Sequence, residues 1–352
     1  MRLEETLARI VPPDPEAADA ARARHAELTK PPGSLGRLES LGVQLASIRG
    51  TPRPRFERRV VVVAAASHGV AREETVSAYP GAVTAQMVAN FLGGGAAINA
   101  LAAVAGAELR LVDAGVDPEP PDDPRLLKAR IAGGSRNLLR EPALPDGHEV
   151  RILESGAALV EDLDRDGAWL LGLGEMGIGN TTSSAAIVAA ATGVDAARVT
   201  GPGTGVDGER LLRKRAIVSE AVARWSPRGD DGRALLRTLG GYEIGFLAGC
   251  CLEAAARKVP VVLDGYVTAA AAIVACALAP ATRGYLIASH LSREPGHAVA
   301  LDHLGLAPLL DLELRLGEGS GAALVLPLVD AAARTLDEMA TFAQAGVAER
   351  DA

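Results

Sequence analysis

The chain has 352 residues with 36 basic against 44 acidic side chains, a net charge of −8 and no dense Lys/Arg stripe, which excludes a nucleic-acid binder working through a basic footprint. It leaves room for a phosphorylated small molecule, which needs only a few local donors. Hydrophobic residues make up 48% and aromatic residues only 3%, so the core of one large α/β domain, or of two ordinary ones, must be packed from Ala, Val, Leu and Ile. Cys250, Cys251 and Cys276 lack CxxC spacing and read as buried thiols of a reducing compartment. The start, Met1-Arg2-Leu3-Glu4-Glu5, is no signal peptide, and apolar runs such as 268–279 are too short and Ala-rich for a membrane span. The expectation is a cytosolic protein with neither a membrane nor a nucleic acid as partner.

In chain order, Asp14-Pro15-Glu16 offers an N-cap, a first-turn proline and an acid, predicting a helix to about Leu28. Lys30-Pro31-Pro32-Gly33-Ser34-Leu35-Gly36-Arg37 breaks it before a second helix. Strand-like apolar runs follow at 60–66, 109–113, 169–173, 260–263 and 284–288. Between them lie Ala-rich helical stretches at 83–105, 183–192, 209–224 and 242–257. This alternation predicts βαβ units, an α/β fold with a mostly parallel, Rossmann-like sheet and flanking helices. Stretches 117–125 and 226–233 read as surface loops, and 329–347 as a closing helix. Helices at both termini predict a small helical domain, 1–45 with 322–352, beside a large α/β catalytic domain, 46–321.

Each apolar run ends in glycine and a polar group: Ser67-His68-Gly69, Asp113-Ala114-Gly115, Gly174-Glu175, Asp264-Gly265 and Ser289-His290-Leu291-Ser292. Ligands of open parallel sheets bind beyond the carboxyl ends of the strands, so five such ends are consistent with one shared pocket. Gly174–Thr182, which holds Glu175, Met176, Gly177, Asn180 and Thr181, would open a helix and present backbone N–H groups and hydroxyls to an anion. It matches neither a Walker motif nor GxGxxG. Gly201-Pro202-Gly203-Thr204-Gly205 is a second Gly-rich loop, and Lys214, two turns into the following helix, is within reach of a phosphate or is simply a solvated helix charge. His290, Glu294 and His297 have a spacing that could place metal ligands on one helix face. Pro295-Gly296 interrupts that face, so hydrogen bonding is expected rather than a metal, and no cofactor is expected. Glu318, between glycines in Leu316-Gly317-Glu318-Gly319-Ser320-Gly321, is either a solvated turn residue or a desolvated base with a raised pKa.

Together with Val76-Ser77-Ala78-Tyr79-Pro80 and Glu294-Pro295-Gly296-His297, these segments occur in an order, from about residue 26 to 325, that resembles the nicotinate-nucleotide:dimethylbenzimidazole phosphoribosyltransferase family of cobalamin lower-ligand assembly. The resemblance implies a homodimer that moves phosphoribose from nicotinate mononucleotide to a benzimidazole-type base. It matches the family's catalytic base to Glu318 and a second acid near the reacting centre to Glu175. Phosphate-side elements match Gly177, the loop with Gly203, Thr204 and Gly205, and Lys214, while Met176 and Leu316 would line the flat base. Ser77, Tyr79, Gln86, Asn180, Thr181, Asp264, Gly265, Ser289, His290 and Ser292 complete the implied substrate-binding set. One departure is visible: Ser67 stands where related sequences usually carry Asp, a change expected to bear on acceptor preference. Two other readings stay open, a non-catalytic nucleotide-binding module and a different transferase or phosphatase using the same anion loops.

Overall fold

The computed structural model describes residues 3–164 and 169–348. Six strands, β1 Arg58–Ala66, β2 Glu108–Gly115, β3 Leu126–Lys128, β4 Trp169–Met176, β5 Val261–Leu263 and β6 Leu286–Ala288, form one sheet in the order β3-β2-β1-β4-β5-β6. Every pairing is parallel, and β1 pairs with β4 from Arg58↔Trp169 to Ala65↔Met176. The order reverses direction between β1 and β4, the place where α/β sheets open a crevice.

Alternation along β1 shows why the sheet needs two helical layers. Val60, Val62, Ala64 and Ala66 point into one core, and Val61, Val63 and Ala65 into the other. Helices His148–Leu163, Asn180–Thr192, Tyr242–Ala256 and Tyr266–Leu278 supply the first layer; Val83–Leu92, Ala97–Ala105 and Ser320–Glu338 supply the second. With few aromatics, density comes from close backbone approach. A Cβ on Gly156 would fall 1.9 Å from the Phe246 carbonyl oxygen, so helices His148–Leu163 and Tyr242–Ala256 cross almost backbone to backbone.

Several boundaries differ from expectation. The stretch Val83–Ala105 has the length and apolarity of a membrane span, 23 residues at mean hydropathy 1.5, yet it is two helices parted at Gly93-Gly94-Gly95. β3 is a three-residue edge strand, too short to leave a periodic signal. The 226–233 loop ends early, because Asp231 accepts from Ala234 N–H (2.9 Å) and caps a helix starting at Gly232. The closing helix begins nine residues before the expected 329, at Ser320, and stops at Glu338. Its first half lies on the sheet with Val61 and Leu170, and Leu336 near its end packs on Ala21 and Ala46 of helices Pro15–Glu27 and Arg37–Arg49.

Candidate active site

β4 sets the floor of the site. Its last residues, Glu175 and Met176, run into a Gly177-Ile178-Gly179 turn that opens helix Asn180–Thr192, and Asn180 Nδ2 donates to Glu175 Oε2. Across from it, Gly317, Glu318 and Gly319 all take positive φ, of 85°, 64° and 86°. For Glu318, which has a Cβ, that left-handed conformation costs roughly 1–2 kcal/mol, and the surroundings must hold it there. They do so from two sides. Glu318 N–H donates to the Glu175 carbonyl (3.1 Å), and Gly319 N–H donates to Asp264 Oδ2 (3.0 Å). Gly174 makes room: a Cβ there would sit 2.3 Å from Gly319 N.

The held carboxylate is 5% exposed, and its Oε2 lies 3.4 Å from the Ile98 N–H in the first turn of helix Ala97–Ala105. Burial pushes its pKa up, with that N–H opposing. Burial also lifts Glu175 to about 8, helped by the charges of Asp264, Glu243 and Glu318 and opposed by Asn180. Asp264 reaches about 7 through burial, against three backbone N–H groups. Buried Glu318 and Asp264 thus cluster with half-buried Glu175, whose raised pKa favours its protonated form at neutral pH.

Beside them lies a cavity of about 420 Å³. Tyr79, Val83, Met87, Met176 and Leu316 give it apolar lining, while Gly177, Asn180, Thr181, Gly203 and Thr204 bring a helix N-terminus and a Gly-rich turn to it. Glu175, Gly265, His290, Ser292 and Glu318 complete the expected residues that line it. Burial lowers the His290 pKa, so that ring is neutral at neutral pH.

The remaining expected residues stand elsewhere. Asp264 is a clamp rather than a ligand contact: its Oδ1 accepts from Gly321 N–H (2.6 Å) and Ala322 N–H (3.4 Å), capping helix Ser320–Glu338. Ser289 Oγ donates to the Asp264 carbonyl (2.8 Å), one layer behind the lining. Ser77 Oγ meets Thr204 Oγ1 at 2.8 Å, tying its segment to the Gly-rich turn. Lys214 is fully buried behind that turn with Nζ on Thr181 Oγ1 (2.8 Å), which corrects the solvated-charge alternative. Gln86 is exposed on helix Val83–Leu92, and neither it nor Gly205 lines the cavity.

Only three of the five polar strand ends, those of β4, β5 and β6, bring residues to the cavity. Asp113 Oδ1 turns back to Gly115 and Val116 N–H groups, and His68 pairs with Glu243 (2.6 Å) under the floor. Ser67 Oγ accepts from Asp117 N–H (3.0 Å) and does not line the cavity, so the expected effect on the acceptor pocket lacks a contact. Pro295 opens helix Pro295–Leu304 instead of breaking one, which leaves His290 outside the helix that carries His297. Sequence reasoning missed Val83, Met87, Ile178, Tyr266, Val267, Arg315 and Gly317 as lining residues, and weighed Glu294, which also lines the cavity, only as a metal ligand. Tyr266 and Arg315 adjoin recognised motifs, whereas Met87 lies in an Ala-rich helix with no distinguishing signal.

A parallel sheet with a strand-end pocket, an anion-ready helix start and a desolvated carboxylate fits an α/β enzyme, and the family model described as Phosphoribosyltransferase, which matches residues 10–347, gives its class. The chain is 53% identical over 347 residues to the nicotinate-nucleotide–dimethylbenzimidazole phosphoribosyltransferase of Mycobacterium avium, covering 98% of this chain and 99% of that one. It is 50% identical over 348 residues to the protein of the same name from Chloroflexus aggregans, with 99% and 98% covered. The crystal structure of CobT from Thermus thermophilus superposes with a TM-score of 0.92 at 48% identity, over 96% of this chain and 100% of that one. The chain belongs to the nicotinate-nucleotide–dimethylbenzimidazole phosphoribosyltransferase family.

Proposed function

We propose that this enzyme moves phosphoribose from nicotinate mononucleotide to 5,6-dimethylbenzimidazole or a related base, giving α-ribazole 5′-phosphate and nicotinate with inversion at C1′, in cobalamin lower-ligand assembly. The observation that carries this reading is Glu318: a buried carboxylate, held in a left-handed turn, its pKa raised, at the edge of an apolar cavity. Such a group suits removal of an N–H proton from a flat azole.

In this scheme the C1′–N bond of the donor breaks and its electron pair stays on the ring nitrogen. The pyridinium becomes a neutral pyridine, so this departure needs no general acid. One benzimidazole nitrogen bonds to C1′ from the opposite face, and the proton of the other passes to the Glu318 carboxylate and then to solvent. Glu175 offsets the cationic charge that develops on the ribose; the cationic donor ring favours its ionised form. Gly177, Thr181 and Gly203 hold the phosphate end, with Lys214 behind them on Thr181 Oγ1 adding its positive charge from under the Gly203 turn, and that positioning supplies a large share of the barrier reduction. The scheme uses neither a metal nor an organic cofactor.

We read the assembly as a cytoplasmic homodimer, and the expected small helical unit shrinks to helices Pro15–Glu27 and Arg37–Arg49 with the end of helix Ser320–Glu338, because the first half of that last helix lies on the sheet. The stretch Val83–Ala105 supports the dimer, since its apolar window is only 28% buried within one chain and Val104 is 83% exposed. Incubating the pure protein with nicotinate mononucleotide and dimethylbenzimidazole, then separating products by chromatography, tests the activity. Binding of the donor without α-ribazole phosphate would leave a nucleotide-binding module instead.

A further inference from the structure

Glu294 is the N-cap residue of helix Pro295–Leu304, yet its side chain makes no cap hydrogen bond to that helix. It turns to the Gly-rich loop. Oε1 accepts from Gly203 N–H at 2.8 Å, while Oε2 is buried without a hydrogen-bond partner. A Cβ on Gly201 would fall 2.4 Å from that Oε2, so the loop is built to let this carboxylate lie against its backbone. On the other side of the same turn is Lys214. A Cβ on Gly203 would be 2.8 Å from its Nζ and 2.7 Å from Thr181 Oγ1. Glu294 is 6% exposed and Lys214 fully buried, a rare setting for two charged side chains without a direct ion pair between them.

From this geometry we infer that Glu294 is a positioning residue for the transfer reaction, setting the Gly201–Gly205 loop through the Gly203 N–H and keeping Lys214 protonated for the donor's phosphate. The inference rests on the functional reading above. Burial lowers the Lys214 pKa to about 8, and the charge of Glu294 is what pulls it upward. Burial raises the Glu294 pKa, opposed by Lys214, the Gly203 N–H and Arg315. The other groups around it are Tyr266, whose hydroxyl is held by the Val199 carbonyl, and His297, which burial lowers to about 3 and keeps neutral. Lys214 is therefore the cation on which the Glu294 charge acts in the buried layer.

The sign follows. Protonated Lys214 lends its charge to the phosphate site from behind the Gly203 turn, so kcat/KM for the donor falls as pH rises through its pKa. Removing the neighbouring negative charge lowers that pKa and moves the alkaline limb to lower pH, by about one unit for a nearby buried carboxylate.

The test measures product formation against nicotinate mononucleotide concentration and pH, first for the wild type, then for Glu294→Gln and Glu294→Asp. In Glu294→Gln the alkaline limb should move down about one unit, with KM for the donor up roughly fivefold at pH 8 and kcat and the dimethylbenzimidazole KM nearly unchanged. Glu294→Asp keeps the charge but not the reach to Gly203, so its KM should rise while the limb stays in place. A wild-type KM and limb in Glu294→Gln overturns the inference. If that variant does not fold, Glu294→Asp decides, and an unchanged donor KM overturns it. Failure of the wild type to form product would instead strike the functional reading, and so the two failures are distinguishable.

Discussion

The backbone N–H of Glu318 donates to the carbonyl of Glu175 at 3.1 Å, so the two acids at the heart of the site are joined through their main chains and not only through the cavity between them. The bond ties the Leu316–Gly319 turn to the end of β4. It fixes the Glu318 side chain against helix Ala97–Ala105, where Ile98 N–H meets it. A base held this way loses little orientational freedom in the reaction.

Glu318→Gln should lower kcat by about 10²–10⁴, the usual worth of a general base, with the donor KM close to wild type. Wild-type kcat should fall at acid pH, because the base works only when ionised and burial has raised its pKa. Steady-state kinetics against pH check both statements, and full turnover in the variant would remove Glu318 from the chemistry.

Glu175→Gln should separate stability from activity. The folded protein raises this carboxyl from 4.5 to about 8 and Asp264 from 3.8 to about 7, so it binds more protons than the unfolded chain across that window. Stability contributed by these groups is present at low pH and declines as pH rises toward about 8. The Gln variant escapes that decline at its own position. Its Tm at pH 8 should exceed wild type by a few degrees while kcat drops, as thermal melts beside activity assays would reveal.

Gly174→Ala should cost stability and activity together. The added methyl would fall 2.3 Å from Gly319 N, in backbone that cannot yield like a side-chain tip. Overpacking of this kind typically costs about 1–3 kcal/mol, and the displaced turn carries Glu318 with it. A lower denaturation midpoint with a reduced kcat is expected; an unchanged kcat would mean that the turn tolerates movement.

Val104→Glu tests the proposed dimer. Placing a charge on the exposed apolar face of helix Ala97–Ala105 should shift the assembly toward monomer in light scattering, with little change in the melting of the single chain. A wild type that is itself monomeric would end the dimer reading.

Much of this was legible in the residues. Apolar runs separated by Ala-rich stretches prescribe a parallel sheet, since each run is long enough for a strand and each intervening stretch can supply a crossover helix. Glycine flanking Glu318 marked a turn that other residues adopt only at a cost. The sequence also marked the Gly174–Thr182 segment and the Gly201–Gly205 loop. It did not show that three strand ends serve the pocket while two do not, because His68 and Asp113 carry the same local signal as Asp264 and His290. Nor did it distinguish Asp264 as a clamp from Glu318 as a carboxylate that lines the cavity. Chain distance hides which N–H groups a carboxylate meets, and for Asp264 those are Gly319, Gly321 and Ala322, more than fifty residues away. Burial likewise belongs to the packed molecule: Lys214 looks like a surface lysine in its helix and becomes a desolvated cation only when helix Asn180–Thr192 and the Gly203 turn close over it. Local order and residue type thus determined the elements and the chemistry available, while tertiary packing decided which polar groups lost their water and faced the ligand.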